Sequence, residues 1–224
     1  MSRTRINPDH YWTPEIAKII EQACDAGLLT LMSDADRDAT RMRLLKSVKP
    51  DQTVWVFGYG SLMWNPDFPV AETRAALVRG WHRRFCLWTV LGRGTPDRPG
   101  LMLGLEPGGS CRGMALAIAP ENVEQATDRV WRREMLSNAY IPRWVEAETH
   151  EGTVQTIAFT INPKMERYAG RLDDEDVARH IALAEGPAGP CIDYLIKTVA
   201  SLDKIGHRRG PMHDLLNRAW ELRG

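Results

Sequence analysis

Val54-Trp55-Val56-Phe57-Gly58-Tyr59-Gly60-Ser61 is where the texture of this 224-residue chain changes. Four β-prone residues run into a turn built on two glycines, the pattern of a strand feeding a tight turn. Further strand-like runs follow at 77–88, 101–105 and 114–118. A pair at 144–149 and 154–161 is hinged at Glu151-Gly152. Strands that adjoin in sequence, without a helix between every two, favour antiparallel neighbours. The expected sheet is therefore small and mixed or barrel-like. Pro120 opens a helix that runs to about Leu136, and helical patterns recur over 174–185, 192–204 and 212–223. The fold class is α+β.

Upstream, residues 14–29 carry Ile16, Ile19, Ile20 and Cys24 at helical spacing, and Ser33 is placed to cap a second helix ending near Pro50. Residues 1–52 thus read as an N-terminal helical extension packed on a main domain of residues 53–224. The stretch from Met1 to His10 lacks the apolar run of a secretory signal, so the cytoplasm is the expected location. No run approaches the roughly 18 apolar residues that a membrane span needs. The 29 basic and 29 acidic residues cancel, so nothing draws the chain as a whole to nucleic acid. Cys24, Cys86, Cys111 and Cys191 lie far apart with no C-x-x-C pair, which argues against a metal site or a disulfide framework. The segment 92–100, holding Thr95-Pro96-Asp97-Arg98-Pro99, is expected to be a surface loop.

The glycine-rich turn fits neither of two familiar motifs. A dinucleotide fingerprint needs a third glycine where Met63 stands, and a nucleophile elbow needs glycines in place of Tyr59 and Met63 around Ser61. An ordinary structural turn and an anion or oxyanion cradle of backbone N–H groups both stay open. On the helix after Pro120, at about 100° per residue, Val123, Ala126, Val130, Trp131 and Met135 form one stripe. Glu134 falls in its middle, while Arg132 lies nearly opposite. Burial and the negative end of the helix dipole both raise the pKa of such a carboxyl, which suits it to act as base and then as acid. The alternatives are a structural Glu134 paired with Arg83 or Arg84, and a helix that stops short and leaves it exposed. His82, His180, His207 and His213 read as surface or capping residues.

The run Trp55-Val56-Phe57-Gly58-Tyr59-Gly60-Ser61-Leu62-Met63-Trp64-Asn65-Pro66 resembles the opening signature of the ChaC family, the glutathione-specific γ-glutamyl cyclotransferases. Gly80-Trp81-His82-Arg83-Arg84-Phe85-Cys86-Leu87, Gly92-Arg93-Gly94-Thr95, Pro99-Gly100, Trp131-Arg132-Arg133-Glu134-Met135 and Gly186-Pro187-Ala188-Gly189 with Tyr194-Leu195 follow in the family's order, over about residues 53–215. The resemblance implies a γ-glutamyl cyclotransferase-like fold, a small mixed β-barrel with flanking helices. It also implies that Val56, Phe57, Gly58, Tyr59, Gly60 and Ser61 form the substrate-binding loop, that Glu134 is the catalytic proton acceptor, and that glutathione is the substrate with no cofactor or metal. Strand alternation leaves open which of Arg83 and Arg84 points inward, and the family's Arg-Arg-Phe segment favours Arg84 as a substrate-carboxylate ligand. The chain departs from the pattern after Glu134, where Ser137-Asn138-Ala139-Tyr140 stands in place of an early glycine. Asn138, tolerant of left-handed backbone, is the expected substitute. Other readings are a non-enzymatic cation-transport accessory or peptide-binding regulator, and a cyclotransferase for other γ-glutamyl compounds. The sequence leaves the oligomeric state open.

Overall fold

A computed structural model describes residues 14–90 and 92–224, so the reading made on Met1 to His10 lies outside the described residues. Two helices come first, α1 (Pro14–Asp25) and α2 (Asp34–Leu45). α1 stops short of residue 29 because Gly27 takes φ +72° and the Leu28 N–H turns back onto the Ala23 carbonyl at 2.8 Å, a glycine-terminated cap. Ser33 caps α2, its hydroxyl accepting from the Asp36 N–H at 3.0 Å.

Five strands follow: β1 (Val54–Gly58), β2 (Glu72–Thr89), β3 (Gly100–Ile118), β4 (Tyr140–Thr149) and β5 (Gly152–Ile161). They close into a barrel in the order β1-β3-β2-β4-β5. Four of the pairings are antiparallel, and the closing pair, β1 with β5, is parallel with Val56 opposite Ile157. β2 and β3 are longer than their sequence suggests. The runs at 101–105 and 114–118, read as separate, belong to one strand that carries Gly108 and Gly109 at positive φ through a bulge. On the partner strand Gly80 alone lies between Arg79, opposite Ser110, and Trp81, opposite Pro107. The ladder resumes on both sides of these glycines, so they kink the strand without ending it.

Helix α3 (Val123–Glu134) lies between β3 and β4, and α4 (Asp174–Leu183), α5 (Cys191–Lys204) and α6 (Pro211–Glu221) close the chain. β1 is buried along its whole length because it serves two cores. Trp55 and Phe57 join a cluster drawn from all five strands that extends onto α4, α5 and α6. Val54 and Val56 face the other way, with Leu116, Ile157 and Phe159, against Val130 and Trp131 of α3. Trp131 sets its ring edge-on to Phe159 and donates its indole N–H to Thr40 of α2 at 3.1 Å. Trp144 of β4 likewise donates to the Leu44 carbonyl at 3.0 Å. The second N-terminal helix is thereby tied to the element that ends in Glu134.

Candidate active site

β1 ends fully buried at Gly58, and the chain turns through Tyr59 and Gly60 into a single 3₁₀ turn, Ser61–Met63. The Met63 N–H returns to the Gly60 carbonyl at 2.9 Å and the Asn65 N–H to the Ser61 carbonyl at 2.9 Å, which fixes the turn. Gly60 admits the Tyr194 ring: a Cβ there would stand 2.5 Å from the Tyr194 hydroxyl, so any larger residue has to push that side chain back. The close approach is made by a side chain of α5, packed edge-on to Trp64 and Phe85.

Glu134 is the last residue of α3, and its side chain is only 14% exposed. Loss of water raises its pKa above the usual glutamate value, and the adjacent Arg133 guanidinium, 3.1 Å away, opposes that shift without cancelling it. Arg133 also donates to the Ser61 hydroxyl at 2.7 Å and to the Asn65 carbonyl, so one arginine joins the helix end to the glycine turn. Glu134 and the turn share a cavity of about 180 Å³ with Tyr140, Tyr194 and Arg167. Burial raises the pKa of the Tyr59, Tyr140 and Tyr194 phenols, so all three are neutral near pH 7. Tyr59 donates to the Phe159 carbonyl at 2.6 Å and Tyr140 to the Leu103 carbonyl at 2.8 Å, which holds these rings in place.

Of the residues singled out in the sequence, Glu134, Tyr59, Gly60 and Ser61 line this cavity together. Val56, Phe57 and Gly58 do not: their side chains or ladder positions belong to the barrel wall behind the turn. Arg84 is elsewhere. With Arg83 it lines a separate cavity of about 630 Å³ between the β2–β3 hairpin and helices α4 and α6. Its guanidinium lies 3.6 Å from Glu106 and donates to the Leu172 carbonyl at 3.1 Å. Arg83 reaches back to the turn, giving its Nε–H to the Tyr59 carbonyl and Nη2 to the Arg112 carbonyl at 2.6 Å. The Glu134 carboxylate is therefore balanced by neither of the two arginines considered for it. Arg83 is taken up by the Tyr59 and Arg112 carbonyls and Arg84 by Glu106 and the Leu172 carbonyl, while Arg133 is next door to Glu134. Asn138 does not take left-handed geometry either; among the described residues the non-glycine positive φ is at Asp67. The loop after Glu134 is held instead by Asn162, which donates its side-chain amide to the Asn138 carbonyl at 2.9 Å and its backbone N–H to the Ala139 carbonyl at 2.9 Å.

Among the described residues, no histidine lines the cavity around Glu134. His82, His180 and His213 are occupied by the Gly108 carbonyl, the Pro99 carbonyl and Asp203. Sequence reasoning missed Arg133, Tyr140, Tyr194 and Arg167 as site residues. The signal for Arg133 was its place beside Glu134 at the helix end, where a long side chain can swing past the last turn. Among the described residues, no three or more His, Cys, Asp and Glu side chains gather as a metal site.

The family profile described as ChaC-like protein matches residues 54–219. The glutathione-specific γ-glutamylcyclotransferase of Escherichia coli K12 is 37% identical over 189 residues, 84% of this chain and 82% of that protein. An Arabidopsis thaliana protein, γ-glutamylcyclotransferase 2-3, is 32% identical over 74% of this chain and 87% of its own length. The crystal structure of a yeast γ-glutamyl cyclotransferase specific to glutathione superposes with a TM-score of 0.70 at 22% identity, covering 76% of this chain and 97% of that one. That likeness bears on the fold: the barrel with flanking helices is the architecture the two share.

Proposed function

Because the chain belongs to the ChaC-like protein family, we infer that it is a γ-glutamyl cyclotransferase specific for glutathione, releasing 5-oxoproline and cysteinylglycine. The observation that carries the mechanism is the sheltered Glu134 carboxyl, held beside the Gly60-Ser61 turn in one cavity. At about 180 Å³ this cavity is smaller than the roughly 300 Å³ lower bound for pockets that enclose drug-sized ligands. It suits one end of an extended peptide, the γ-glutamyl end.

In glutathione the nucleophile and the electrophile belong to one glutamyl residue. The α-amine attacks the side-chain carbonyl carbon, the ring C–N bond forms, and the amide bond to cysteine breaks. The enzyme has to fold the substrate and hold it in that geometry. The departing nitrogen gains as many protons as the attacking nitrogen loses, so a carboxylate that takes a proton and returns it suffices. Glu134 serves in this role: burial raises its pKa above the usual glutamate value, the direction that helps a carboxyl return a proton as well as take one. Backbone N–H groups of the turn take the developing oxyanion, and Val56, Phe57 and Gly58 act as the rigid strand behind them. Arg84, committed to Glu106 and Leu172, has no part in this binding.

No helix among the described residues is long and apolar enough to cross a membrane. The four cysteines are free thiols, three of them buried, which suits a reducing compartment such as the cytoplasm.

The test is direct. Purified protein given glutathione releases 5-oxoproline, and Glu134→Gln loses about 10²–10⁴-fold in kcat while binding glutathione in calorimetry. A folded Glu134→Gln variant with wild-type kcat ends the assignment of Glu134. Absence of any 5-oxoproline from the wild-type protein ends the reaction itself.

A further inference from the structure

Arg167 is a second cation of the Glu134 cavity, and among the described residues it has no ion-pair partner. It lies in the segment between β5 and α4, which is fastened to the edge of β2. The Trp88 N–H donates to the Arg167 carbonyl at 2.8 Å, and the Arg167 Nε–H returns to the Trp88 carbonyl at 2.9 Å. Tyr168 bridges to Leu87, and the Ala169 N–H donates to the Cys86 carbonyl at 2.8 Å. The backbone beneath the guanidinium is thus fixed from both sides, and Nε is spent on holding the fork in one orientation.

Among the described residues no Asp or Glu comes within ion-pairing distance of Arg167. Loss of water pulls its pKa down, and the group that most favours its charge is the Tyr140 phenol, a neutral group at pH 7. A sheltered cation without an anion is costly, and the cost is recovered when a ligand brings the anion. Arg133, the other arginine of the cavity, is committed to Glu134, Ser61 and Asn65. The two terminal nitrogens of Arg167 keep the planar geometry that meets a carboxylate with two parallel hydrogen bonds.

We propose that Arg167 is a specificity-determining residue that receives a carboxylate of the γ-glutamyl peptide substrate. The inference rests on the cyclotransferase reading above. Glutathione offers two such groups, the glutamyl α-carboxylate and the glycyl carboxylate, and each can be removed separately without removing the attacking amine. 4-Aminobutyryl-cysteinylglycine lacks the first, and the C-terminal amide of glutathione lacks the charge of the second.

The experiment measures kcat/KM for wild type, Arg167→Met and Arg167→Lys on glutathione and on these two analogues. On glutathione, Arg167→Met is expected to lose about 10–100-fold, as for a charged hydrogen-bonded partner, chiefly in KM. Arg167→Lys, which keeps the charge but not the fork, falls between. On the analogue missing the carboxylate that Arg167 holds, wild type and both variants converge; on the other analogue the variant losses persist in full. Convergence on 4-aminobutyryl-cysteinylglycine identifies the α-carboxylate, and convergence on the amide identifies the glycyl one. Equal losses for the variants on all three substrates show that Arg167 only supports the fold, and the proposal fails. If Arg167→Met does not fold, the Arg167→Lys comparison decides alone. A wild-type protein inert toward glutathione fails the cyclotransferase reading instead, a result readable before any variant is made.

Discussion

Glu134 was legible from sequence because a helix has one period: an acid in the middle of an apolar stripe is conspicuous whatever the stripe packs against. Its partner was not legible in that way, since a helical projection treats each residue as an angle and Arg133 reaches its acid by the length of its side chain at the helix end. The places of Tyr194 and Arg167 in the site were hidden for a different reason, since both arrive from segments far along the chain that only the folded barrel brings beside the turn after β1. The charge balance at Glu134 has a measurable sign. Burial raises its pKa and Arg133 lowers it, so the acidic limb of kcat/KM, on which activity grows as the carboxylate forms, lies above the ordinary glutamate value of 4.5. Arg133→Met removes the cation that favours the carboxylate, and the limb moves to higher pH in a full pH–rate profile; movement to lower pH contradicts the assignment of that limb to Glu134. Gly60 yields a second test. Gly60→Ala places a methyl against the Tyr194 oxygen and is expected to cost about 1–3 kcal/mol, as overpacking does. Tyr194→Phe removes that oxygen, so the double variant recovers part of the loss in denaturant unfolding; strictly additive losses mean that the contact is not what demands glycine.

Among the elements, the helix ending at Glu134 and the β4–β5 hairpin were recognised as such although β4 begins four residues earlier than expected, whereas the glycine-bent β3 was read as two strands. The helix ending at Glu134 and the hairpin of β4 and β5 follow from periodicity and one turn signal. The Gly108-Gly109 pair of β3 reads locally as a break, and only the matching Gly80 across the ladder turns it into a bulge. Alternation along β2 likewise could not choose between Arg83 and Arg84, because bulges between Arg79 and Trp81 and between Phe85 and Leu87 interrupt the period on either side of them. The structure separates their effects. Arg83→Lys loses the fork that holds the Tyr59 carbonyl, so kinetics on glutathione worsen through the turn, whereas Arg84→Lys leaves KM unchanged. A KM rise confined to Arg84→Lys contradicts this placement. The seam between α2 and α3 is tested by stability. Thr40→Val strips the buried Trp131 indole of its acceptor, a loss of about 1–3 kcal/mol. For a chain of this size that is roughly 2–4 °C of melting temperature per kcal/mol. An unchanged melting temperature would mean that the bond contributes nothing to the seam.

For the molecule as a whole, the proposed chemistry returns every proton it takes and moves no electrons between molecules, and it uses no thiol. The barrel agrees in where it puts its cysteines. Cys86, Cys111 and Cys191 are buried. Loss of water pushes Cys86 up to about 12 and Cys191 to about 11, and it raises Cys111 as well, so little thiolate exists near neutral pH. Cys24, on α1, is half-buried and stands outside the barrel. Native protein treated with iodoacetamide at pH 7 is therefore expected to carry label at Cys24 alone, and denatured protein at all four positions, as read by peptide mass spectrometry. Because Cys24 lies in the N-terminal helices and not in the Glu134 cavity, labelled protein keeps its 5-oxoproline release, and so does protein dialysed exhaustively against EDTA. Inactivation in step with modification of a barrel cysteine implies that the barrel opens during turnover or that a thiol takes part. Loss with EDTA that one metal restores requires a cation in the site. Either result contradicts a mechanism in which Glu134, the glycine turn and the substrate's own amine are sufficient.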